Sequence, residues 1–453
     1  MRTRNTLTSL GDVEKFLFDQ IPSFERKFPG KLGLERTRYL MRLLGDPQER
    51  LKMIHIAGTS GKGSTAYFTS LLLRSLGFKV GLTLSPHLID FRERFQINGG
   101  FLSEKKMVSY FNEFLPVFRQ METSKFGLPT YFEIVQAVAF LIFYKEKVDY
   151  AIVEVGMGGT FDATNVVERS DKVCLLTKIG LDHTKTLGGT TTEIARQKAG
   201  IIHKGNTVFT VNQRRRVASV FEIFCKRNEA KLIRVRRLFE YKNVRVEEGG
   251  IYFDFSFGGL TIKNLFVSTL GFYQVQNLSL ALVAVVYLSK RDGFSLTVEK
   301  IRVGTAKVYF PGRFDVKNIK GVSLIIDGAH NPQKMRAFLD SLAKVFPDKK
   351  YNFVIAFKRG KDYKKMLSQI QPFAVRVYTT SFFVQSDMKE NLSMDEGLIA
   401  ESLKNMGFGN IVLEHNPAKC LKLALKETGE LPLVITGSLY LAGEIYKALA
   451  EAQ

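Results

Sequence analysis

Apolar, β-branched runs alternate with amphipathic stretches along most of this chain, and this rhythm limits the possible folds more than any other feature. In the first half, candidate strands lie at 53–57, 79–84, 150–155, 172–179 and 207–211, separated by helical patterns such as 104–121 and 132–144. Strands that alternate with helices in this way favour a mostly parallel sheet with both faces covered. The sequence therefore predicts an α/β fold.

The rhythm changes at two places. Between 237 and 268, short alternating strands with paired glycines predict a small antiparallel appendage, and a helix is predicted over 277–290. Residues 303–312 contain a Pro-Gly pair and no clear periodicity, which indicates a linker. The βα alternation then resumes, with strands at 323–326, 351–357, 376–380, 410–413 and 433–436. We expect an N-terminal domain over 1–302 and a C-terminal, Rossmann-like domain over 313–453.

Composition excludes several classes of protein. The 453 residues are 45% hydrophobic and 24% charged, as in an ordinary globular protein rather than a disordered or fibrous one. The longest uncharged apolar runs, 134–144 and 278–289, are too short to cross a bilayer, and the N-terminus has no secretory signal pattern. Three widely spaced cysteines suggest neither a disulfide framework nor a metal knuckle. These features predict a cytoplasmic protein without a membrane segment.

A formal charge of +22 raises nucleic-acid binding as an alternative function. The basic residues are spread along the chain, however, and local clusters such as 214–216 and 234–237 are more typical of solvated faces. The same field would attract small anionic substrates. We therefore expect small-molecule partners and no nucleic acid.

A glycine-rich loop follows the first strand, in the stretch IHIAGTSGKGSTAYF at 54–68, and a helix is predicted over 65–76. Glycines let backbone amides approach phosphate oxygens, the helix directs its positive end at them, and a lysine adds a point charge. The spacing differs from an ordinary P-loop, because two residues instead of four separate the first glycine from Gly-Lys. We favour a phosphate-binding loop over a simple turn, built from Gly58, Thr59, Ser60, Gly61, Lys62, Gly63, Ser64 and Thr65.

This loop resembles the ATP loop of the Mur ligase superfamily, and the glycine after the lysine is typical of its folate branch, the folylpolyglutamate synthases and dihydrofolate synthases. Six further segments resemble that family in its order: SPHLIDFRERFQING, TYFE, EVGMGGTFDATN, TKIGLDHTKTLGGTTTEIARQKAGII, FPGRF and DGAHNP. The resemblance covers nearly the whole chain, from KLGLERT at 31 to TGSLYLAGE at 436. It implies an ADP-forming ligase that activates a carboxylate as an acyl phosphate and joins it to L-glutamate.

The resemblance also implies ATP and two magnesium ions as cofactors, and it assigns roles to matching residues. Catalytic positions are Lys62, Glu154, His183, Lys198 and His330, metal ligands are Ser85, Glu154, His183 and Lys198, and further nucleotide contacts are Asn277, Arg313 and Asp327. Substrate positions are Leu32, Gly33, Leu34, Thr130, Tyr131, Phe132, Glu133, Phe161, Asp162 and Ala163. The lysine that matches Lys198 can be carbamylated, which requires a pKa below its usual value of about 10.4.

Local pattern agrees with several of these roles. Glu154 ends an apolar strand and His183 follows another, so both belong to the carboxyl edge of the sheet, where open α/β folds bind ligands. Lys198 lies on a predicted helix whose start, Thr190 to Glu193, has capping-box spacing. Arg313 adjoins the linker, so closure of the two domains would complete an ATP site between them.

Four functions remain open at this stage. We expect first the addition of glutamate to the γ-carboxylate of a tetrahydrofolate. The alternatives are glutamate addition to dihydropteroate, an enzyme with both activities, and a ligase for a cell-wall nucleotide precursor. Two departures from the family pattern are Thr160, where arginine is usual, and Ser60, where asparagine is frequent. The family is usually monomeric and no heptads are visible, so a monomer is expected.

Overall fold

The computed structural model describes residues 6–22, 29–234, 240–247, 249–383 and 393–451. Within them the chain forms two mostly parallel sheets flanked by helices and a small antiparallel sheet. The predicted α/β class with an antiparallel appendage is confirmed. Of the described helices, none has the length and hydrophobicity needed to cross a membrane.

The first sheet has the order β3-β2-β4-β1-β5-β6-β7 in the described residues, and β3 is antiparallel to β2 while the other neighbours are parallel. Its strands are β1 (Met53–Ala57), β2 (Val80–Thr83), β3 (Gln96–Ile97), β4 (Tyr150–Glu154), β5 (Val173–Leu176), β6 (Thr207–Thr210) and β7 (Lys231–Arg234). Every residue of β1, β2, β4, β5 and β6 is buried. Such continuous burial is expected of parallel strands covered on both faces.

The helices of this half are α1 (Leu10–Asp19), α2 (Lys31–Leu43), α3 (Lys62–Ser75), α4 (Glu104–Glu122), α5 (Tyr131–Lys145), α6 (Thr184–Leu187), α7 (Thr191–Ala199) and α8 (Arg215–Arg227). Helix α3 begins at Lys62, not at Thr65 as expected. Gly63 lies in the first turn and hides this start, since glycine is a poor helix former. Gly61 instead turns the chain at φ +91° as the N-cap, so the helix starts directly after it.

The antiparallel sheet consists of β8 (Glu240–Glu247), β9 (Gly250–Phe257) and β10 (Leu260–Val267), and α9 (Tyr273–Asp292) and α10 (Val298–Thr305) follow it. Phe253, Phe255 and Leu265 pack into one hydrophobic core with α3 and α9, which fixes the appendage to the domain. Residues 235–239, including most of the basic cluster 234–237, lie outside the described residues. Helix α10 continues through Thr305, so the predicted linker at 303–312 is helical in its first three residues.

The second sheet has the order β11-β12-β16-β13-β14-β15, again with one antiparallel edge pair, β11 with β12. Its strands are β11 (Asp315–Ile319), β12 (Val322–Ile326), β13 (Tyr351–Ile355), β14 (Ala374–Thr379), β15 (Ile411–Leu413) and β16 (Leu433–Thr436). Its helices are α11 (Pro332–Val345), α12 (Tyr363–Ile370), α13 (Glu396–Asn405), α14 (Pro417–Glu427) and α15 (Leu439–Ala450).

The carboxyl ends of the two sheets face a common cleft. Segments that follow β1, β4 and β5 line a cavity of about 290 Å³ together with the segment that follows β12. A second cavity of about 220 Å³ adjoins it beside the start of α5. Both cavities lie at the edge where parallel α/β sheets bind ligands.

Candidate active site

The glycine-rich loop is held against β5 by its own backbone. The amides of Thr59 and Ser60 donate to the carbonyl oxygen of Lys178 at 3.0 and 3.1 Å. A Cβ on Gly58 would lie 1.7 Å from Thr177 Oγ1, so only glycine fits this close approach. The loop is therefore packed closely against this segment, with Gly58 through Ser64 lining the larger cavity.

This loop has the features of a polyphosphate site. No side chain caps α3, because its N-cap is Gly61, so the first-turn amides point toward the cavity without an internal acceptor. The hydroxyl of Ser60 is buried and has no hydrogen-bond partner among the described residues. Thr65 is fully buried behind the loop and is absent from the residues lining the cavity, whereas the other seven loop residues line it. The donors present fit the phosphates of a nucleotide.

Glu154 ends β4 at the centre of the cleft. Its Oε2 accepts a hydrogen bond from the Ser85 amide at 3.0 Å, and its Oε1 lies 3.5 Å from Lys62 Nζ. Ser85, Glu154, His183 and Lys198 all line the same cavity, as predicted for metal ligands. The described residues contain no group of three His, Cys, Asp or Glu arranged to hold a metal ion. Magnesium still fits, since it takes one or two carboxylates and completes its shell with water and phosphate oxygens.

His183 stands at the start of α6 in a left-handed conformation, with φ +50°. About 41% of its side chain is exposed. Desolvation in the cleft and the positive charges of Lys361 and Lys198 nevertheless lower its pKa to about 3, against the opposing effect of Asp182. The imidazole is neutral at physiological pH, which is the form that can bind a metal ion.

Lys198 is buried near the end of α7, whose predicted capping box between Thr190 and Glu193 is present. Burial, reinforced by the nearby charge of Lys62, lowers the pKa of Lys198 to about 7. A large fraction of its amine is therefore neutral near pH 7, which is the condition that carbamylation requires.

The C-terminal domain supplies the opposite wall. Asp327 Oδ2 accepts from Tyr273 Oη at 2.5 Å and from the Phe314 amide at 3.0 Å, and Oδ1 accepts from the Ala329 amide at 2.9 Å. Burial raises the pKa of Asp327 despite these bonds. The carboxylate thus fixes the segment after β12, and most of its acceptor capacity for a nucleotide is already used.

Asn277 and Arg313 also line this cavity. Asn277 Nδ2 donates to Gln274 Oε1 at 2.9 Å, and its side chain packs against Gly61 of the loop. The Arg313 guanidinium lies 5.7 Å from the centre of the Phe310 ring. Both predicted nucleotide contacts are therefore brought to the loop from outside it.

His330 lies in the cleft, but both of its ring nitrogens are engaged. Nδ1 is 2.8 Å from the Gly328 carbonyl oxygen, and Nε2 is 2.8 Å from Lys334 Nζ. A carbonyl can only accept, so Nδ1 carries the proton and Nε2 accepts from the lysine. This arrangement leaves His330 no lone pair with which to act as a general base.

Asp182 joins the two domains, which the sequence did not predict. It forms a short ion pair with Lys361, and Asn331 Nδ2 donates to its Oδ2 at 3.1 Å. Burial alone would raise the pKa of Asp182, but the charge of Lys361, with a further contribution from Lys334, holds it far below its usual range. Asp182 shares a motif with His183, whereas Lys361 is 179 residues away and carries no sequence signal.

The smaller cavity contains most of the predicted substrate residues. Its lining includes Gly33, Thr130, Tyr131, Phe132, Glu133, Phe161, Asp162 and Ala163. Leu34 instead packs into the core formed by α1, α2, α4 and α5, and Leu32 is 47% exposed. Successive residues of a helix point in different directions, so α2 turns only Gly33 of this trio toward the cavity.

Asp162 is one of the substrate positions implied by the resemblance, but its oxygens are occupied within its own loop. Oδ1 accepts from the Thr164 amide at 3.0 Å and from Thr164 Oγ1 at 2.6 Å, and Oδ2 accepts from the Met157 amide at 2.7 Å. At least three of its roughly four acceptor sites are therefore used. Thr160, which stands where the family usually has arginine, donates to the Gln197 carbonyl oxygen and so ties this loop to α7.

Arg36 is a second residue that the sequence did not predict, although it lies in the KLGLERT segment. Its Nε and Nη2 bind the two oxygens of Glu133 at 2.7 and 2.8 Å, and both side chains are buried. Glu133 also accepts from the Thr130 amide at 2.9 Å. This bidentate pair fixes the start of α5, which is one wall of the smaller cavity.

Replacing Arg36 with methionine is expected to lower the free energy of unfolding by about 3–5 kcal/mol, because it leaves the buried Glu133 carboxylate without its cation. Calorimetric melting of the variant measures this loss. The double variant Arg36→Met/Glu133→Gln removes the uncompensated charge and is expected to recover most of the stability. A single variant that melts with the wild-type protein would contradict the assigned role.

Family models and related proteins match most of this chain. The family model of the Mur ligase middle domain matches residues 56–285, and that of the dihydrofolate synthetase C-terminal domain matches residues 313–448. The chain is 31% identical to the dihydrofolate synthase/folylpolyglutamate synthase of Bacillus subtilis over 93% of this chain and 96% of that protein. It is also 31% identical to the dihydrofolate synthetase of Saccharomyces cerevisiae, over 92% and 97%. A Mycobacterium tuberculosis folylpolyglutamate synthase complexed with ADP superposes with a TM-score of 0.86, at 29% identity and 97% coverage of both chains.

Proposed function

This chain belongs to the folylpolyglutamate synthase and dihydrofolate synthase family of Mur ligases, and from that premise we propose that it uses ATP to join L-glutamate to the carboxylate of a folate. One observation carries the proposal. The nucleotide cavity and the substrate cavity share part of their lining, including Ser85, His183 and His330. A carboxylate that enters from the substrate side therefore meets the terminal phosphate of a nucleotide beside Glu154.

The reaction then takes two steps where the two cavities meet. A carboxylate oxygen attacks the terminal phosphorus of ATP, the bond to the ADP oxygen breaks, and an acyl phosphate forms. The glutamate amine, after losing a proton from its ammonium form, then attacks the acyl carbon, and inorganic phosphate leaves with the bonding electrons. One of the two protons left on nitrogen passes to solvent, and a secondary amide that keeps the other results.

Three residues would hold magnesium in this proposal, namely Glu154, Ser85 and the neutral His183. The ion would neutralise phosphate oxygens and polarise the transferred phosphoryl group. Lys62 adds a fixed positive charge 3.5 Å from Glu154. The first-turn amides of α3 orient the phosphates, so the protein supplies mainly position and charge.

We further propose that Lys198 is carbamylated. Its neutral fraction grows as pH rises through about 7, so carbon dioxide reacts with it more readily above that pH than below it. Carbon-13 NMR with labelled bicarbonate is expected to show a carbamate signal near pH 8 and a weaker one near pH 6. The Lys198→Met variant should lack the signal. A wild-type spectrum without a carbamate signal near pH 8 would exclude the modification.

The choice between substrates is made by product analysis. Purified protein is supplied with ATP, magnesium and glutamate, and with dihydropteroate, tetrahydrofolate or no pterin, and products are identified by mass. Tail extension of tetrahydrofolate is the primary expectation. The dihydrofolate synthetase model matched by residues 313–448 supports dihydropteroate as a second substrate. Failure of both pterins to stimulate ADP formation would overturn the proposal.

We propose that the enzyme is a cytoplasmic monomer that acts on small molecules and binds no nucleic acid. Three buried, free cysteines support a reducing compartment. Arg214, Arg215 and Arg216 are exposed at the start of α8, which supports a solvated face. Lysine and arginine side chains also line the cleft, which suits anionic substrates.

A further inference from the structure

His330 is hydrogen-bonded to Lys334, which is another basic residue of the nucleotide cavity besides Lys62. Because Nδ1–H is committed to Gly328 and Nε2 accepts from Lys334, the imidazole cannot itself donate to or accept from a ligand in this arrangement. The same bond uses one of the three N–H groups of the Lys334 ammonium. Lys334 also lines the nucleotide cavity, so its remaining donors are available there.

Two helices from different domains direct their positive ends into this cavity, but they offer different donors. Helix α3 has no side-chain cap, which leaves its first-turn amides for a ligand. Helix α11 is capped by Asn331, whose Oδ1 accepts from the Lys334 amide at 2.9 Å. The C-terminal domain would therefore bind an anion through a side chain in the first turn of α11. Lys334 is the cation at that position.

The side chains around Lys334 carry an excess of positive charge, which favours a bound anion. Leaving out Lys198, four lysine and arginine side chains line the cavity and Lys361 pairs with Asp182 beside it. Three carboxylates oppose these five cations, and both lining histidines are neutral. Burial and the positive charges of Lys62, Arg313 and Lys361 lower the pKa of Lys334, although Asp182 opposes them, and an anion bound beside the lysine would raise that pKa and favour its ammonium form. A polyphosphate between α3 and α11 would compensate this excess of positive charge.

We propose that Lys334 binds the terminal phosphate of ATP and then the same phosphoryl group on the substrate carboxylate, and that His330 is the residue that positions it. This inference rests on the proposed ligase function. The loop after β1 already supplies backbone donors for nucleotide phosphates from the N-terminal domain. His330, which is hydrogen-bonded to Lys334, lines both the nucleotide cavity and the substrate cavity, so Lys334 lies beside the place where the phosphoryl group would pass between nucleotide and carboxylate.

The test compares two nucleotides that differ by one phosphate. Titration calorimetry with magnesium measures the dissociation constants of ADP and of the non-hydrolysable ATP analogue AMPPCP. For Lys334→Met we expect the AMPPCP affinity to fall by about ten- to a hundredfold, the value of a charged hydrogen bond, and the ADP affinity to change by less than about threefold. His330→Phe should shift the same ratio in the same direction by a smaller factor.

Lys344→Met is the matched control, because it removes the same charge from an exposed position of the same helix. It should leave both affinities unchanged. Equal losses for ADP and AMPPCP in Lys334→Met, or no loss for either, would overturn the inference. If that variant shows no melting transition, Lys334→Gln replaces it and the same comparison applies. A wild-type protein that binds neither nucleotide would instead overturn the proposed ligase function.

Discussion

Glu154→Gln is expected to lower kcat by about three orders of magnitude and to leave the fold intact. Glutamine retains an acceptor for the Ser85 amide, so the hydrogen bond at 3.0 Å can persist. What it removes is the negative charge that would hold magnesium at the end of β4. Metal stabilisation of a transferring phosphoryl group contributes several kcal/mol, and each 1.36 kcal/mol is a factor of ten in rate.

Steady-state kinetics with ATP, glutamate and the preferred pterin measures this loss, and calorimetric melting confirms that the variant is folded. Glu168→Gln is the matched control, because Glu168 pairs with Arg38 on an exposed surface. Exposed pairs contribute little, so this control should retain wild-type kcat and melting temperature. A Glu154→Gln variant with kcat within tenfold of the wild-type value would remove Glu154 from the metal site.

The second large effect is expected from Gly61→Ala. Gly61 has φ +91°, and a Cβ at this position would lie 2.3 Å from Asn277 Oδ1. The substitution therefore strains the N-cap of α3 and displaces the Asn277 side chain together. Backbone strain of this kind costs about 1–3 kcal/mol, so we expect ADP affinity to fall by roughly ten- to a hundredfold.

Gly45→Ala is the control that separates general backbone strain from damage to the nucleotide loop as the cause of lower ADP affinity. Gly45 has a similarly positive φ of +80°, but a Cβ there would meet no atom within 4 Å. The control carries comparable backbone strain far from the nucleotide loop, so it should lower stability and leave ADP affinity unchanged. Wild-type ADP affinity in Gly61→Ala would show that the loop does not form the phosphate site.

Elements with strong local signals could be predicted from the sequence. The bounds of β1 and β16 agree with prediction to the residue, since their apolar runs are local features. The start of α3 was wrong by three residues, because a glycine at its N-cap and another in its first turn hide the helical pattern. Helices α1 and α2 were not predicted at all.

The site was predictable where function coincides with a local motif and not where it depends on tertiary contacts. The loop after β1 and the strand-end position of Glu154 follow from sequence alone. The ion pair between Asp182 and Lys361 joins residues from different domains, which no local pattern records. Asp162 illustrates the converse case, because the motif identified the residue and only the structure shows that its oxygens are used within its own loop.

Transfer of an oxygen atom tests the central claim most directly. A folate or dihydropteroate labelled with ¹⁸O in the reacting carboxylate is converted with ATP and glutamate, and the phosphate products are examined by mass spectrometry. An acyl phosphate requires one labelled oxygen to appear in inorganic phosphate, with ADP unlabelled. Label in AMP would indicate carboxylate adenylation, and inorganic phosphate without label would show that ATP hydrolysis does not activate the carboxylate. Either of these results would contradict the proposed function.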